Sequence, residues 1–294
     1  MQIGIFARTF ARPGFEGTFD AIKAHGLDCL QFNLACVGLP TLPETIEPEL
    51  ARRIHAELIA RSLSMAAVSG TCNLIHPDPE HRAQCLRRLQ TLIRASRQMG
   101  TNIVTLCTGT RDLNDMWHGH LDNDSPESWR DLVSSLESLL PGAEAHGVVL
   151  GIEPEPANVI HSAQPADKLL REMKSPALKI IFDAANLVAS REISDQRKIL
   201  SEACELLGPN IVLAHAKDLV SHGFDKGGTC YETVAAGKGQ LDYEVYISIL
   251  QKAGFKGALI LHSLSEDEVP AAFKFLQEKL RCHTEGRASI TNRP

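Results

Sequence analysis

The 294-residue sequence predicts a single (β/α)8 TIM barrel, and three observations carry that prediction. Eight short apolar runs recur along it, at Ile3–Phe6, Leu27–Phe32, Met65–Val68, Ile103–Cys107, Val148–Ile152, Leu178–Phe182, Ile211–Ala214 and Ala258–Leu261. Their length and Val/Ile/Leu content suit strands buried on both faces, as in a parallel sheet. Segments with helical spacing of apolar residues separate the runs, and no low-complexity stretch or interdomain linker interrupts them. An open doubly wound sheet shares these features, but eight unbroken alternations favour one closed barrel over residues 1–294, with a short tail after about 283.

The helical stripes follow the strands in order. Phe19/Ile22 come first, then Ile54/Leu58, then Cys85, Leu86, Leu89, Leu92, Ile93 and Met99. The clearest stripe is Trp129, Leu132, Val133, Leu136, Leu139 and Leu140; Leu169/Leu170/Met173, Ile199/Leu200/Ala203/Leu206/Leu207, Val245/Tyr246/Ile249/Leu250 and Phe273/Leu276/Leu280 complete the series. Each stripe buries one helix face. Gly26, Gly100, Gly147, Gly208 and Gly254 stand just beyond a stripe, where a left-handed residue ends a helix at least cost.

Composition narrows the function. Hydrophobic residues at 44% and charged residues at 22% suit a folded globular chain. Thirty Lys+Arg against 36 Asp+Glu leave a net charge of −6, which gives no positive field for a polyanion and excludes nucleic acid as the expected partner. No run approaches the ~18 apolar residues of a membrane span, and the opening Met1-Gln2-Ile3 lacks the basic and apolar regions of a secretory leader. A cytoplasmic protein without membrane attachment is expected. The eight cysteines form no CxxC pair, so reduced thiols are expected in place of a disulfide framework or zinc ribbon.

Two connections exceed ordinary turns: Thr108 to Pro126, with Arg111, Trp117 and His118, and Ala216 to Gln240, with Lys217 and the Ala236-Gly237-Lys238-Gly239 turn. Both leave carboxyl ends of strands, the face where barrel enzymes build their sites. The last four strands end on Glu153, Asp183, His215 and His262. One charged strand end marks a water boundary; four in succession on a closed barrel converge. Carboxylate oxygens with imidazole nitrogens suit one divalent ion such as Mn²⁺, Zn²⁺, Co²⁺ or Mg²⁺. Asn33, Asn73, His76, Asn158 and Asn186 follow strands on the same face, where they either read a polyol or make turns. Lys217, two residues beyond His215, is placed to hold a substrate hydroxyl or an enediolate oxygen, and Glu155 to support the metal or Lys217. Arg111, Trp117 and His118 are placed to close over substrate. The Gly237-Lys238-Gly239 turn offers backbone N–H groups and an ammonium to a phosphate, on weak grounds. No GxGxxG, P-loop, HExxH or GxSxG motif is present, which removes dinucleotide, nucleotide, metalloprotease and serine-hydrolase readings.

On these residues the sequence resembles the sugar isomerase/epimerase superfamily with the xylose-isomerase-like barrel, over nearly the whole chain. The resemblance implies a single divalent metal held by Glu153, Asp183 and His215, with His262 where the family usually has glutamate. It also implies Asn186 as a substrate residue, where relatives commonly carry His, and pairing of copies into oligomers. The activity implied is isomerisation or epimerisation of a small sugar, sugar phosphate or keto-polyol through an enediolate, with Glu153 and His262 as proton carriers. The alternatives are a dehydratase on a keto-polyol and a non-catalytic sugar-binding barrel. The apurinic-endonuclease branch needs additional ligands, including an Asp-x-His pair after strand 7, that this sequence lacks.

Overall fold

The computed structural model describes residues 1–189, 193–225 and 228–290, with side chains described except at 224–230 and beyond 282. Nine strands form around a closed barrel: β1 Gln2–Phe6, β2 Cys29–Phe32, β3 Ser64–Ser69, β4 Ile103–Leu106, β5 Val149–Ile152, β6 Leu178–Asp183, β7 Ile211–Asp225, β8 Gly228–Ala235 and β9 Ala258–Leu261. Parallel pairing runs in order from β1 to β7, then from β7 to β9 and from β9 back to β1, which leaves no free edge in the eight-stranded wall.

The helices are α1 Phe15–Ala24, α2 Pro48–Ala60, α3 Pro79–Met99, α4 Pro126–His146, α5 Ala163–Met173, α6 Ala184–Ala189, α7 Gln196–Leu207, α8 Tyr243–Lys252 and α9 Val269–Ile290. Local chemistry explains their ends. Asp78 and Ser125 accept hydrogen bonds from the first amides of α3 and α4, each with proline at the first helical position. Gly100 and Gly147 end those helices at φ of 104° and 61°, a region costly for any residue with a Cβ. Gly208 behaves differently: its φ of −45° carries the chain onward into a 3-10 turn at Gly208–Asn210. The stripe residues Leu132, Leu136 and Leu139 are fully buried against the sheet.

Three expectations need correction. The connection from Ala216 to Gln240 is largely an antiparallel hairpin, because β7 continues past the barrel rim and pairs with β8, from Lys217 opposite Ala235 to Asp225 opposite Gly228. Outside the barrel that strand needs partners for its backbone groups, and the return strand supplies them. A further short helix, α6, begins directly at the end of β6. Finally, α9 runs to Ile290, past the tail expected from about 283. Among the described residues no helix is long and apolar enough to cross a membrane, and seven of the cysteines are free thiols, Cys230 lying outside the described side chains.

Candidate active site

Strand alternation builds the site. Residues two apart on a strand share a face, and Cys29, Ala67, Ile181, Leu213, Ala258 and Ile260 form a dry cluster of their own. Two positions further along the same strands stand Gln31, Ser69, Asp183, His215 and His262, joined by Thr105 from β4 and by Glu153, which directly follows β5. The apolar layer plugs the barrel, and the polar layer above it forms the floor of the carboxyl-terminal mouth.

One donor atom each from Glu153, Asp183 and His215 lies within 4.8 Å of the others. His215 Nδ1 stands 2.9 Å from Glu153 Oε1 and 3.8 Å from Asp183 Oδ2. Asn186 Nδ2 donates to the same Glu153 oxygen at 3.1 Å, while Asp183 Oδ1 accepts the Asn186 amide at 3.2 Å. Asp183 is fully buried, and its Oδ2 accepts no hydrogen bond; Lys217 Nζ stands 3.2 Å away, off the line of one. A buried, unsatisfied carboxylate oxygen is costly, and two carboxylates with an imidazole match the preferences of a borderline divalent cation. The three residues therefore fit a metal ion on their own chemistry.

Burial and mutual charge divide the titrating groups. Burial would raise Glu153, but the charge and hydrogen bond of His215, backed by Lys217 and His262, bring it down to about 2. Glu155 goes the other way: burial, then the charge of Glu153, lift it to about 8. Burial and Glu153 also raise Asp183, against the pull of Lys217. Burial opposes the Lys217 ammonium, yet Asp183, Glu155 and Glu153 together hold it firmly charged. His215 is raised in the same way, Glu153 outweighing burial.

His262 does not join the donor cluster. Its ring lies between Phe6 and His215, with centroids 4.9 Å from each and interplanar angles of 18° and 20°. Its Nδ1 bonds Ser263 Oγ at 2.9 Å. Burial first, then the neighbouring charges of His215 and Lys217, push its pKa down to about 3, so the ring is neutral at pH 7. Its position thus makes it a flat support for the His215 ring.

Of the six residues expected at the substrate, Asn186 and Lys217 face the triad. The other four bond to groups within the protein, three of them chiefly to backbone and Arg111 chiefly to side chains. Asn33 Oδ1 caps the turn at Leu34–Val37 through the Ala35 amide and accepts from Thr41. His76 accepts the Asp78 amide at Nδ1 and meets the Leu113 carbonyl at Nε2. Asn158 accepts the Gly109 amide at 2.7 Å and donates to the Met116 carbonyl. Gly109 itself has φ of 85°, and a Cβ there would sit 2.0 Å from Asn73 Oδ1. Arg111 is bound to Asp131 at 2.7 Å, to Ser128 Oγ and to the Ile75 carbonyl. Trp117 is 53% exposed, and His118 bonds Asp112.

The Gly237-Lys238-Gly239 turn is also already filled. Asp218 Oδ2 accepts the Gly237 amide, Asp218 Oδ1 accepts the Leu219 and Leu241 amides, and Lys238 Nζ is paired with Glu268. An internal carboxylate stands where a phosphate would be cradled.

Gln31 was not anticipated. It is 3% exposed, and its Oε1 lies 2.9 Å from His215 Nε2. A glutamine within the four-residue strand Cys29–Phe32, on the face of Cys29, was the available signal. Cys107 was read only as a buried thiol, yet its sulfur lies within 4.8 Å of a carboxylate oxygen of both Glu153 and Glu155.

A closed eight-stranded barrel with a donor triad on three consecutive strand ends defines a single-domain α/β barrel protein with a metal-competent mouth. The chain belongs to the xylose isomerase-like TIM barrel family, whose sequence profile matches residues 19–279. No curated protein matches it by sequence. Among solved structures, an L-ribulose 3-epimerase superposes with a TM-score of 0.74 at 16% identity, over 100% of this chain and 99% of that one. A xylose isomerase domain protein from Planctomyces limnophilus gives 0.72 at 18% identity, over 95% and 96% of the two chains. The IOLI protein with a bound zinc atom gives 0.70 at 14%, also over 95% and 96%. At these identities the likeness establishes the shared fold.

Proposed function

We propose that the protein is a divalent-metal-dependent isomerase or epimerase of a small sugar or keto-polyol, working through an enediolate. The observation that carries this reading is the convergence of Glu153, Asp183 and His215, with Asp183 Oδ2 fully buried, charge-paired with Lys217 and accepting no hydrogen bond. Those three residues would hold a divalent ion, which would supply Lewis acidity and so lower the barrier to removing the α-proton of a ketose. Glu153, steadied by the Asn186 amide, is the base that takes the α-proton. The electron pair of that C–H bond moves onto the carbonyl oxygen, and the Lys217 ammonium faces the developing negative charge. Return of a proton to the opposite face gives the epimer, and return to the neighbouring carbon gives the isomer. His262, neutral and stacked, serves as support in this scheme and carries neither metal nor proton. An L-ribulose 3-epimerase and a zinc-bound protein among the structural neighbours support the substrate class and the metal. Asp218, filling the Gly237–Gly239 turn, favours an unphosphorylated sugar at that point.

A second reading, a dehydratase, draws on Glu155. Its carboxyl is protonated up to about 8 and shares the mouth with Glu153, where it is able to protonate a departing β-hydroxyl, water being lost from the same enediolate. We further propose that the protein acts in the cytoplasm as a homo-oligomer on free small molecules.

The test is metal analysis of purified protein together with α-proton exchange of a ketose panel in D₂O, read by NMR, on wild type and Asp183→Asn. Metal near one ion per chain with exchange in wild type, both lost in Asp183→Asn, is expected. Release of water without back-exchange assigns the dehydratase. Absence of metal binding after incubation with Mn²⁺, Zn²⁺, Co²⁺ and Mg²⁺ overturns the ligand assignment.

A further inference from the structure

We infer that Gln31 is a positioning residue that presents His215 Nδ1 to the metal by holding the opposite ring nitrogen; this rests on the metal reading above. Gln31 and His215 lie on different strands of the barrel wall, β2 and β7, and meet across its interior. The Gln31 amide is itself anchored: its Nε2 donates to Ser69 Oγ at 3.1 Å and to Thr105 Oγ1 at 3.4 Å. All three anchoring residues are at least nine-tenths buried, Gln31 at 3%, Ser69 at 2% and Thr105 at 4% exposure. With the amide nitrogen committed to the two hydroxyls, Gln31 Oε1 is left as the acceptor for His215 Nε2–H at 2.9 Å. Without an ion, Nδ1 donates to Glu153 Oε1; a neutral imidazole that donates from Nε2 to Gln31 would free the Nδ1 lone pair, on the atom facing Glu153 and Asp183, for a metal.

The ring is constrained on two independent counts. The His262 stack fixes its plane, and Gln31 fixes its rotation within that plane and its tautomer. Loss of a hydrogen-bond partner behind a ligating histidine typically costs 10–100-fold in metal affinity. Gln31 touches neither the triad carboxylates nor Lys217 among the described hydrogen bonds, so its effect runs through His215 alone.

The test compares Mn²⁺ and Co²⁺ affinity, by competition with a chelating dye, in wild type, Gln31→Met, Gln31→Glu and the double variant Ser69→Ala/Thr105→Val. Methionine keeps the length and removes the acceptor; glutamate keeps the acceptor. The expected result is a 10–100-fold weaker affinity in Gln31→Met with a changed Co²⁺ visible spectrum, recovery to within about threefold in Gln31→Glu, and an intermediate loss in the double variant. If Gln31→Met misfolds, the double variant, which leaves Gln31 in place, decides alone. Affinity and Co²⁺ spectrum unchanged in Gln31→Met, or loss in Gln31→Glu as deep as in Gln31→Met, overturns the positioning role. Failure of wild type to bind either ion instead overturns the metal reading itself, so the two failures are distinct.

Discussion

Replacing Lys217 by methionine removes the ammonium that stands 3.2 Å from Asp183 Oδ2. The pair is deeply buried, with side-chain exposures of 9% and 0% at 3.2 Å. Two unit charges at that distance attract by about 5 kcal/mol in an effective dielectric of about 20. Removing one partner of a buried pair costs about 3–5 kcal/mol, because the other charge is left without compensation. Here the remaining group is a carboxylate beside Glu153, so the cost falls toward the upper end of that range. The assay is urea unfolding at pH 7 with a chelator present, run as a double-mutant cycle over Lys217→Met, Asp183→Asn and the combination. Lys217→Met should lose about 4 kcal/mol, and the double variant should lose about 3 kcal/mol less than the two single losses together. Because the ammonium competes with a metal for Asp183 Oδ2, added Mn²⁺ should stabilise Lys217→Met more than wild type at equal concentration. A variant within about 1 kcal/mol of wild type, or a coupling below about 1 kcal/mol, would refute the buried pair and leave Lys217 as a hydrated rim lysine.

Glu155 and Arg111 give two further outcomes. The folded protein holds the Glu155 proton up to about 8, whereas the ordinary value is 4.5, so the unfolded chain releases it first and stability falls as pH rises through that window. Glu155→Gln lacks this decline, and its stability advantage without metal should grow from near zero at pH 4.5 to on the order of 4 kcal/mol near pH 8; parallel stability curves for the two proteins would refute the shift. Arg111→Met loses the bonds to Ser128 and Ile75 and one of the two Asp131 pairs, Arg82 still holding that carboxylate, which should cost about 1–3 kcal/mol in unfolding while the KM of an exchanging ketose stays within twofold. A raised KM with unchanged stability returns Arg111 to the substrate.

Strand and helix alternation, the single barrel and the face on which the polar strand ends gather were legible in the chain. Apolar period and strand length are local properties, and closure follows once eight such units alternate. Glu153, Asp183 and His215 were legible for the same reason: each stands at or just past the end of an apolar run, and closure sends such ends to one mouth. The hairpin of β7 and β8 was not, because its polar sequence reads as loop and becomes strand only when two distant segments pair.

Partner choice is what only the tertiary structure decided. Asn33, His76, Arg111 and Asn158 carry the same side-chain chemistry as substrate-reading residues, and their partners within the protein exist only where the loops fold over them. His262 ends its strand as His215 does, but its ring stacks on Phe6 and His215 and lies outside the Glu153, Asp183 and His215 cluster. Gln31 gained its role from the stagger of the barrel, which brings it opposite His215, 184 residues along the chain. Periodicity fixes the face on which a side chain stands; hydrogen bonding, stacking and charge compensation depend on distances of a few ångströms between chain segments far apart in sequence, and those distances exist only once the barrel has closed.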